Sequence, residues 1–224
     1  MTTAIATGVP RDGLSIVRGR TDVPLSDAPV AALLRDTAAR FPARPAVVFR
    51  EQGIRWDWCT FAYEIDVLAA GLAALGIEKG DRVGIWSPNR VEWLLTQFAT
   101  ARIGAILVNI NPAYRLAELE YALNKVGCRA LIAAEQFKSS KYLEMLRALA
   151  PELAHCAPGD LHAARLPSLR TVVSMGEVAP AGMFRFADVM ARGRDSLDVA
   201  ALDATGATLS ATDPINIQFT SGTT

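Results

Sequence analysis

Residues 82–110 decide the fold of this chain, and they read RVGIWSPNRVEWLLTQFATARIGAILVNI. Two apolar runs, 82–86 and 105–110, stand on either side of a segment, 91–103, whose composition and spacing are typical of a helix. Apolar runs of this kind indicate strands that are buried on both faces of a parallel sheet. This stretch therefore predicts a strand, a crossover helix and a second, parallel strand.

The same alternation continues along the chain on both sides of this unit. The remaining predicted elements are a helix over 29–40 capped by Ser26 or Asp27, paired strands 46–49 and 54–58, a helix over 60–75 capped by Thr60, a helix over 116–126, a strand over 129–134, a helix over 138–150, a strand over 169–175, a helix over 186–192 and a strand over 215–219. An acidic connector, 195–213, precedes the last strand. Three successive strand–helix units favour an α/β fold in which helices cover a parallel sheet.

The composition excludes several classes of protein. With 224 residues, of which 51% are hydrophobic, the chain can bury a substantial core. Its 23 basic and 23 acidic residues cancel, so no net charge attracts nucleic acid or an anionic membrane. The longest stretch without a charge, 103–114, is too short and too polar to span a bilayer. We expect no nucleic-acid partner and no transmembrane segment.

The first residues bear on the compartment. Residues 1–10 lack the basic patch and apolar run of a secretory signal. Arg11, Arg18 and Arg20 are a feature of mitochondrial presequences, but Asp12 and nearby prolines argue against a single amphipathic helix there. We expect a cytoplasmic location in preference to the mitochondrial matrix.

The cysteines and histidines favour structural roles. Cys59, Cys128 and Cys156 are odd in number and lack the paired spacing of a disulfide framework or a zinc site. His155 and His162 flank Cys156, but this segment has no fourth ligand at a recognisable spacing. We therefore expect reduced thiols and no metal site in the chain.

The last five residues, Thr220-Ser221-Gly222-Thr223-Thr224, are the strongest functional signal from the residues themselves. They follow the predicted strand 215–219 and combine hydroxyl and backbone N–H donors around a glycine that can curl the loop. Ligands of open α/β sheets bind at the carboxyl ends of the strands, where this turn falls. The turn therefore predicts contacts to phosphate oxygens, with an ordinary turn as the alternative.

Motifs of the common nucleotide and hydrolase folds do not occur in the chain. It contains no Gly-x-x-x-x-Gly-Lys-Ser/Thr loop, and no Gly-x-Gly-x-x-Gly follows a strand. A Gly-x-Ser-x-Gly elbow is also absent. The sequence thus disfavours a P-loop NTPase, a dinucleotide-binding fold and an α/β-hydrolase.

Three stretches carry a resemblance to a known family: 69–89, 104–128 and 213–224. Their distinctive parts read GIEKGDRVGIWSPN, GAILVNINPAYR and DPINIQFTSGTT. In this order and separation they resemble the N-terminal part of the AMP-forming acyl-CoA synthetases of the adenylate-forming superfamily, in the fatty-acyl and medium-chain ligase branch. Residues 220–224 match the first half of the family's phosphate loop, Thr/Ser-Ser-Gly-Thr/Ser-Thr-Gly-x-Pro-Lys.

The resemblance implies a reaction and a division of the chain. Members of the family use ATP and Mg²⁺ to convert a carboxylic acid to an acyl-adenylate, which coenzyme A, as a substrate, then converts to a thioester. It implies that Thr220, Ser221, Thr223 and Thr224 contact the ATP phosphates and that Gly222 keeps the loop tight. It also implies an N-terminal extension, 1–27, and an incomplete AMP-binding domain, 28–224, that holds no catalytic residue or metal ligand and is inactive by itself.

Other interpretations stay open at this point. The chain could belong to another adenylate-forming enzyme, such as a luciferase-like protein or a peptide-synthetase adenylation domain, or be a truncated, non-catalytic α/β binding module. The side chains around the turns also have ordinary interpretations, which we favour over ligand contacts. They are core or interface packing for Trp86 and Trp93, a helix cap and a turn for Asn89 and Asn111, and solvated helix faces for Glu118, Glu120, Lys138 and Lys141.

Overall fold

The fold was analysed on a computed structural model, which describes residues 22–178 and 180–220. The helices are α1 Val30–Arg40, α2 Trp58–Ala74, α3 Val91–Ile103, α4 Leu116–Val126, α5 Tyr142–Leu149, α6 Phe186–Asp195 and α7 Val199–Gly206, with a 3₁₀ helix at Pro151–Ala154. The strands are β1 Pro45–Phe49, β2 Ile54–Asp57, β3 Arg82–Trp86, β4 Ile106–Asn109, β5 Ala130–Ala133, β6 Gln136–Phe137, β7 Ser140–Lys141, β8 Thr171–Ser174, β9 Phe184–Arg185 and β10 Asn216–Gln218.

The main sheet has six strands in the order β10-β4-β3-β5-β8-β9, and every neighbouring pair is parallel. The chain builds it outward from β3, because β4 and β5 pair with the two sides of that strand. The strands β1 and β2 form a separate antiparallel pair, as the sequence predicts. The parallel α/β fold expected from residues 82–110 is therefore confirmed.

Successive residues of the central strands enter two different cores. On one face, Val83, Ile85, Leu107, Ile132 and Val173 pack with α1, α2, α3, α6 and α7. On the other face, Trp86, Val108, Leu131 and Val172 pack with α4 and α5. The sheet is thus covered on both sides, which explains why its strands are apolar without alternation.

The close approach of helices α2 and α6 depends on a pair of glycines. A Cβ atom on Gly193 would overlap the carbonyl oxygen of Val67, and one on Gly71 would overlap that of Val189. Each glycine therefore lies against the backbone of the opposite helix, and a side chain at either position would push the helices apart.

The connector predicted for 195–213 contains a helix, α7, which the sequence analysis missed. Asp198 caps it by accepting a hydrogen bond from the Ala201 N–H at 3.0 Å. The buried guanidinium of Arg102 in α3 holds it, since Nη1 donates to the Leu202 carbonyl at 2.8 Å and Nη2 to Asp203 at 2.5 Å. A helix of eight residues has little stability alone, and these tertiary contacts supply it.

Two predicted helix caps are wrong. Thr60 does not accept at the start of α2; instead the Asp57 carboxylate accepts from the Thr60 N–H at 2.8 Å. The residue before α1 is Pro29, which has no side-chain capping bond, so neither Ser26 nor Asp27 caps that helix. The helix predicted over 138–150 also starts later, at Tyr142, because β6 and β7 form a small hairpin in its first predicted turn.

None of the helices in residues 22–178 and 180–220 is long and apolar enough to cross a membrane.

We expect Gly193→Ala to destabilise the chain, although alanine forms helices better than glycine. Overpacking costs about 1–3 kcal/mol, against roughly 1 kcal/mol gained from helix propensity. Urea unfolding at low protein concentration measures the difference. Ala191→Gly, at an exposed position of the same helix, is the control that reports the propensity term alone. A Gly193→Ala variant more stable than the parent would show that the close helix contact is wrong.

We also expect the isolated chain to associate or to bind a hydrophobic dye. Within the described residues β10 pairs with β4 only, and an unpaired strand edge favours association. Asn216→Lys places a charge on this edge and should reduce the association, whereas Thr212→Lys, outside the strand, should not. Light scattering and dye fluorescence report the result. A monomeric parent chain that binds no dye would contradict the expectation.

Candidate functional site

A row of five residues crosses the sheet near the carboxyl ends of its strands. Gln218, Asn109, Ile85, Ile132 and Val173 are in register on β10, β4, β3, β5 and β8. The three apolar members belong to one core. The two amide members stand at the end of the row where β10 leads into the predicted phosphate turn. The row thus changes from buried apolar residues to a half-buried and an exposed amide at this end.

A cleft of about 340 Å³ opens at these two amides. Its lining residues are Trp93, Asn109, Ile110, Asn111, Pro112, Gln218 and Phe219. The Oδ1 atom of Asn109 is buried and has no hydrogen-bond partner in the described part of the chain. A buried acceptor without a partner costs free energy, so its place beside a cleft favours a role in accepting a hydrogen bond from a ligand.

The predicted phosphate turn begins at this edge of the sheet. Thr220 lies two residues beyond the end of β10, and it is exposed. Ser221, Gly222, Thr223 and Thr224 lie outside the described residues. The phosphate contacts of these five residues remain a prediction.

A second polar group secures the start of α3, the helix that carries Trp93. The Gln52 side chain accepts from the Val91 N–H at 2.8 Å and donates to Glu92 at 3.0 Å. Arg90 pairs with the same carboxylate at 2.6 Å. Burial alone would raise the pKa of Glu92, but the hydrogen bonds, chiefly that from Arg90, lower it below its ordinary value. The Glu92 carboxylate is therefore ionised and bound by Gln52 and Arg90, which indicates that it stabilises the start of α3.

The tryptophans differ in their roles. Trp86 is fully buried, so the prediction of core packing is confirmed. Trp93 is half-buried against one core and also lines the cleft. The sequence analysis favoured packing over a ligand contact for this residue, and the structure places it where both are open.

Asn111 forms the turn after β4, as predicted, because its Oδ1 accepts from the Ala113 N–H at 2.9 Å. Asn89 does not cap α3, since the Gln52 side chain takes that role.

The charged residues at the surface have local partners. Glu118 accepts from the backbone N–H of Arg115 at 3.1 Å, and Glu120 pairs with Arg165 at 2.5 Å. Lys141 pairs with Glu144 at 3.0 Å. The prediction of a helix surface is therefore confirmed for Glu118 and Glu120 in α4, whereas Lys141 lies in β7, just before α5.

The thiols lie apart from the cleft. Burial raises the pKa of Cys128 to about 12, so its thiol stays protonated at neutral pH. Cys59 is exposed and Cys156 is half-buried. No group of three or more His, Cys, Asp or Glu residues that could hold a metal ion occurs in residues 22–178 and 180–220.

The sequence analysis missed Asn109, Gln218 and Gln52 as parts of the site. A signal exists for Asn109, since it is the one amide in the otherwise apolar strand β4, whereas Gln218 shares β10 with a second amide, Asn216. Their pairing in one row depends on β10 lying beside β4, which no local pattern specifies. Gln52 sits 39 residues before the helix that it caps, so no local capping pattern reveals it.

Comparison with known proteins assigns the family. The sequence profile described as "AMP-binding enzyme" matches residues 34–224. The chain belongs to the AMP-binding enzyme family. The acyl-CoA synthetase resemblance of the three stretches is thereby confirmed at the level of this family.

Curated relatives of this chain include acyl-CoA ligases. "Medium-chain acyl-CoA ligase ACSF2, mitochondrial" of Mus musculus is 44% identical over 216 residues, which is 96% of this chain and 35% of the relative. The protein of the same name from Danio rerio is also 44% identical, over the same shares. The chain therefore spans 35% of the length of these two relatives.

Solved structures share the fold of the AMP-binding chain. A long-chain-fatty-acid-CoA ligase, FadD1, of Archaeoglobus fulgidus has a TM-score of 0.68 over 93% of this chain and 37% of its own. The anthranilate CoA ligase AuaEII, in complex with anthranoyl-AMP, has a TM-score of 0.68 over 91% of this chain and 34% of its own. Both are 22% identical to it, which supports the α/β architecture alone.

Asn109→Leu should stabilise the isolated chain, because it removes a buried acceptor that has no partner within residues 22–178 and 180–220, and it keeps the branched shape of the side chain. The expected gain is about 1 kcal/mol in the free energy of unfolding, measured by urea titration at low protein concentration. Asn89→Leu, at an exposed turn, makes the same chemical change and should have little effect. A loss of stability in Asn109→Leu would mean that the amide has a structural partner.

Proposed function

We propose that this chain is the front part of the N-terminal domain of an AMP-forming fatty-acid CoA ligase. The observation that carries the proposal is the polar cleft at the carboxyl edge of the sheet, where Asn109 and Gln218 replace apolar residues beside the start of the Thr220–Thr224 turn. The names of the two ACSF2 relatives support a carboxylic acid of medium chain length and coenzyme A as substrates. Residues 1–27 would form an extension and 28–224 the incomplete AMP-binding domain.

The first step of such a reaction brings a carboxylate anion to the α-phosphorus of ATP. The chain would contribute hydrogen-bond donors that hold the phosphate oxygens. These donors are the backbone N–H groups around Gly222 and the hydroxyls of Thr220, Ser221, Thr223 and Thr224. Donors that are already in place lower the barrier because they hold the leaving pyrophosphate in line without reorganisation. The Oδ1 atom of Asn109, which has no partner within residues 22–178 and 180–220, fits a ligand that carries a hydrogen-bond donor.

Coenzyme A enters in the second step, when its thiol attacks the acyl carbon and AMP leaves. The described residues that line the cleft include no carboxylate, histidine or lysine that could act as a general acid or base, so we assign no catalytic residue to the chain. Mg²⁺, when bound, would neutralise phosphate charge. Because residues 22–178 and 180–220 contain no cluster of possible metal ligands, we assign no Mg²⁺ ligand to them.

Two further attributes follow from the proposal. The relatives are named as mitochondrial, which favours the mitochondrial matrix over the cytoplasmic location expected from the sequence. The net charge of zero gives no electrostatic attraction for nucleic acid, so we propose no nucleic-acid partner. A fluorescent fusion of the whole protein distinguishes the two compartments.

The alternatives differ from the proposal in the products that they release. A luciferase-like enzyme or a peptide-synthetase adenylation domain would form an acyl-adenylate but not a free coenzyme A thioester. A non-catalytic α/β module would release no pyrophosphate at all. The names of the relatives favour the ligase.

For the whole protein that contains this chain, we expect pyrophosphate release from ATP that depends on a fatty acid, followed by a thioester with coenzyme A. Ser221→Ala and Thr223→Ala should each lower kcat by about tenfold or more, since each removes a hydrogen bond to a charged group. Thr212→Ala, outside the turn, is the matched control and should change little. Coupled pyrophosphate and thioester assays measure the rates.

The isolated chain should show no such turnover under the same conditions. Clear turnover by residues 1–224 would contradict the assignment as an incomplete domain. Wild-type rates in both turn variants would contradict the phosphate role of the turn.

A further inference from the structure

Two buried aromatic side chains converge on the turn that forms one wall of the cleft. The Nε1–H of Trp86 donates to the carbonyl of Asn111 at 3.1 Å, and the hydroxyl of Tyr142 donates to the carbonyl of Pro112 at 2.6 Å. Asn111 and Pro112 are both lining residues of the cleft. Two successive backbone carbonyls of this wall are therefore each fixed by a hydrogen bond from a buried aromatic side chain.

The two donors also hold each other. The rings of Trp86 and Tyr142 are stacked, with centroids 3.7 Å apart and planes inclined by 14°. Both side chains are fully buried. Trp86 ends β3 and Tyr142 begins α5, so the pair joins the centre of the sheet to the helix layer that covers it. A stacked pair between two rigid elements has little freedom to move.

Packing alone does not require these polar atoms. A phenylalanine would fill the space of Tyr142, and a buried hydroxyl costs free energy unless it has a partner. Burial raises the pKa of Tyr142 to about 12, against a smaller lowering by Arg115, so the hydroxyl remains a donor across the neutral range. The hydroxyl donates to a backbone carbonyl of the turn, and the turn residues Asn111 and Pro112 line the cleft.

We propose that Trp86 and Tyr142 are positioning residues that fix the Asn111-Pro112 wall and thereby set the fit of the organic substrate in the cleft. The proposal rests on the ligase function, because it concerns the acid or the coenzyme A thiol arm rather than the ATP phosphates. The phosphates would meet the Thr220–Thr224 turn instead. The two sets of contacts can therefore be separated by experiment.

The test is Tyr142→Phe in the whole protein, which keeps the ring stack and removes one hydrogen bond. We expect the KM for the acid or for coenzyme A to rise by about fivefold or more, with the KM for ATP unchanged. Tyr121→Phe, which removes a hydroxyl from an exposed tyrosine, is the matched control and should change neither. KM does not depend on the amount of folded enzyme, so partial loss of stability leaves the comparison valid.

A second readout is independent of activity. Hydrogen exchange in a peptide that covers residues 111–114 should be about fivefold faster or more in Tyr142→Phe than in the parent or in Tyr121→Phe. Unchanged exchange there would overturn the positioning role, and so would equal changes in the KM values of all substrates. Faster exchange in a protein without ligase turnover would support the held turn and reject the proposed function.

Discussion

The burial of β3 on both faces is the constraint on which the remaining structure depends. This strand lies between β4 and β5, and its residues enter the two cores alternately. Because both faces exclude water, helices must cover both, and each neighbouring strand must reach its place by a crossover. Gly84 shows how tight the centre is, since a Cβ there would come within 2.8 Å of the Leu131 side chain. The carboxyl ends of the strands are consequently gathered at one edge, where the cleft opens.

A second constraint brings the last strand to that edge. Arg102 is 3% exposed and bonds at once to Asp66 of α2 and to the Leu202 carbonyl and Asp203 of α7. A buried guanidinium needs all of these acceptors, because an unpaired charge in the core would be costly. Beyond α7, Lys79 pairs with Asp213 at 2.8 Å, just before β10. The return of the chain to the side of β4 is thus tied to a buried cation and a partly exposed ion pair.

The cleft breaks the pattern of apolar side chains and paired polar atoms that stabilises the sheet around it. Its row of residues is apolar on three strands and amide on the two nearest the predicted phosphate turn. One of the amide oxygens is buried without a partner among the described residues. Such departures tend to occur at functional sites, where stability is given up for ligand contacts. The wall beside it is the opposite case, because each carbonyl there has an aromatic donor. The candidate site therefore combines a wall held by hydrogen bonds with an acceptor that has no partner among the described residues.

The sequence by itself determined the parallel α/β class and the positions of most of the longer elements, although not β6, β7, β9 or α7. The bounds of α3 and α4 agree with the structure to the residue, because Gly104 and Gly127 end the two helices in the left-handed conformation and α4 also has apolar periodicity, and both are local signals. It also indicated the family, through motifs that are contiguous in the chain. Only the tertiary structure decided the order of the strands, the helix α7, the cap that Gln52 provides and the pairing of Asn109 with Gln218. These features depend on contacts between residues far apart in the chain, and local patterns of residue type carry no information about which distant partners meet.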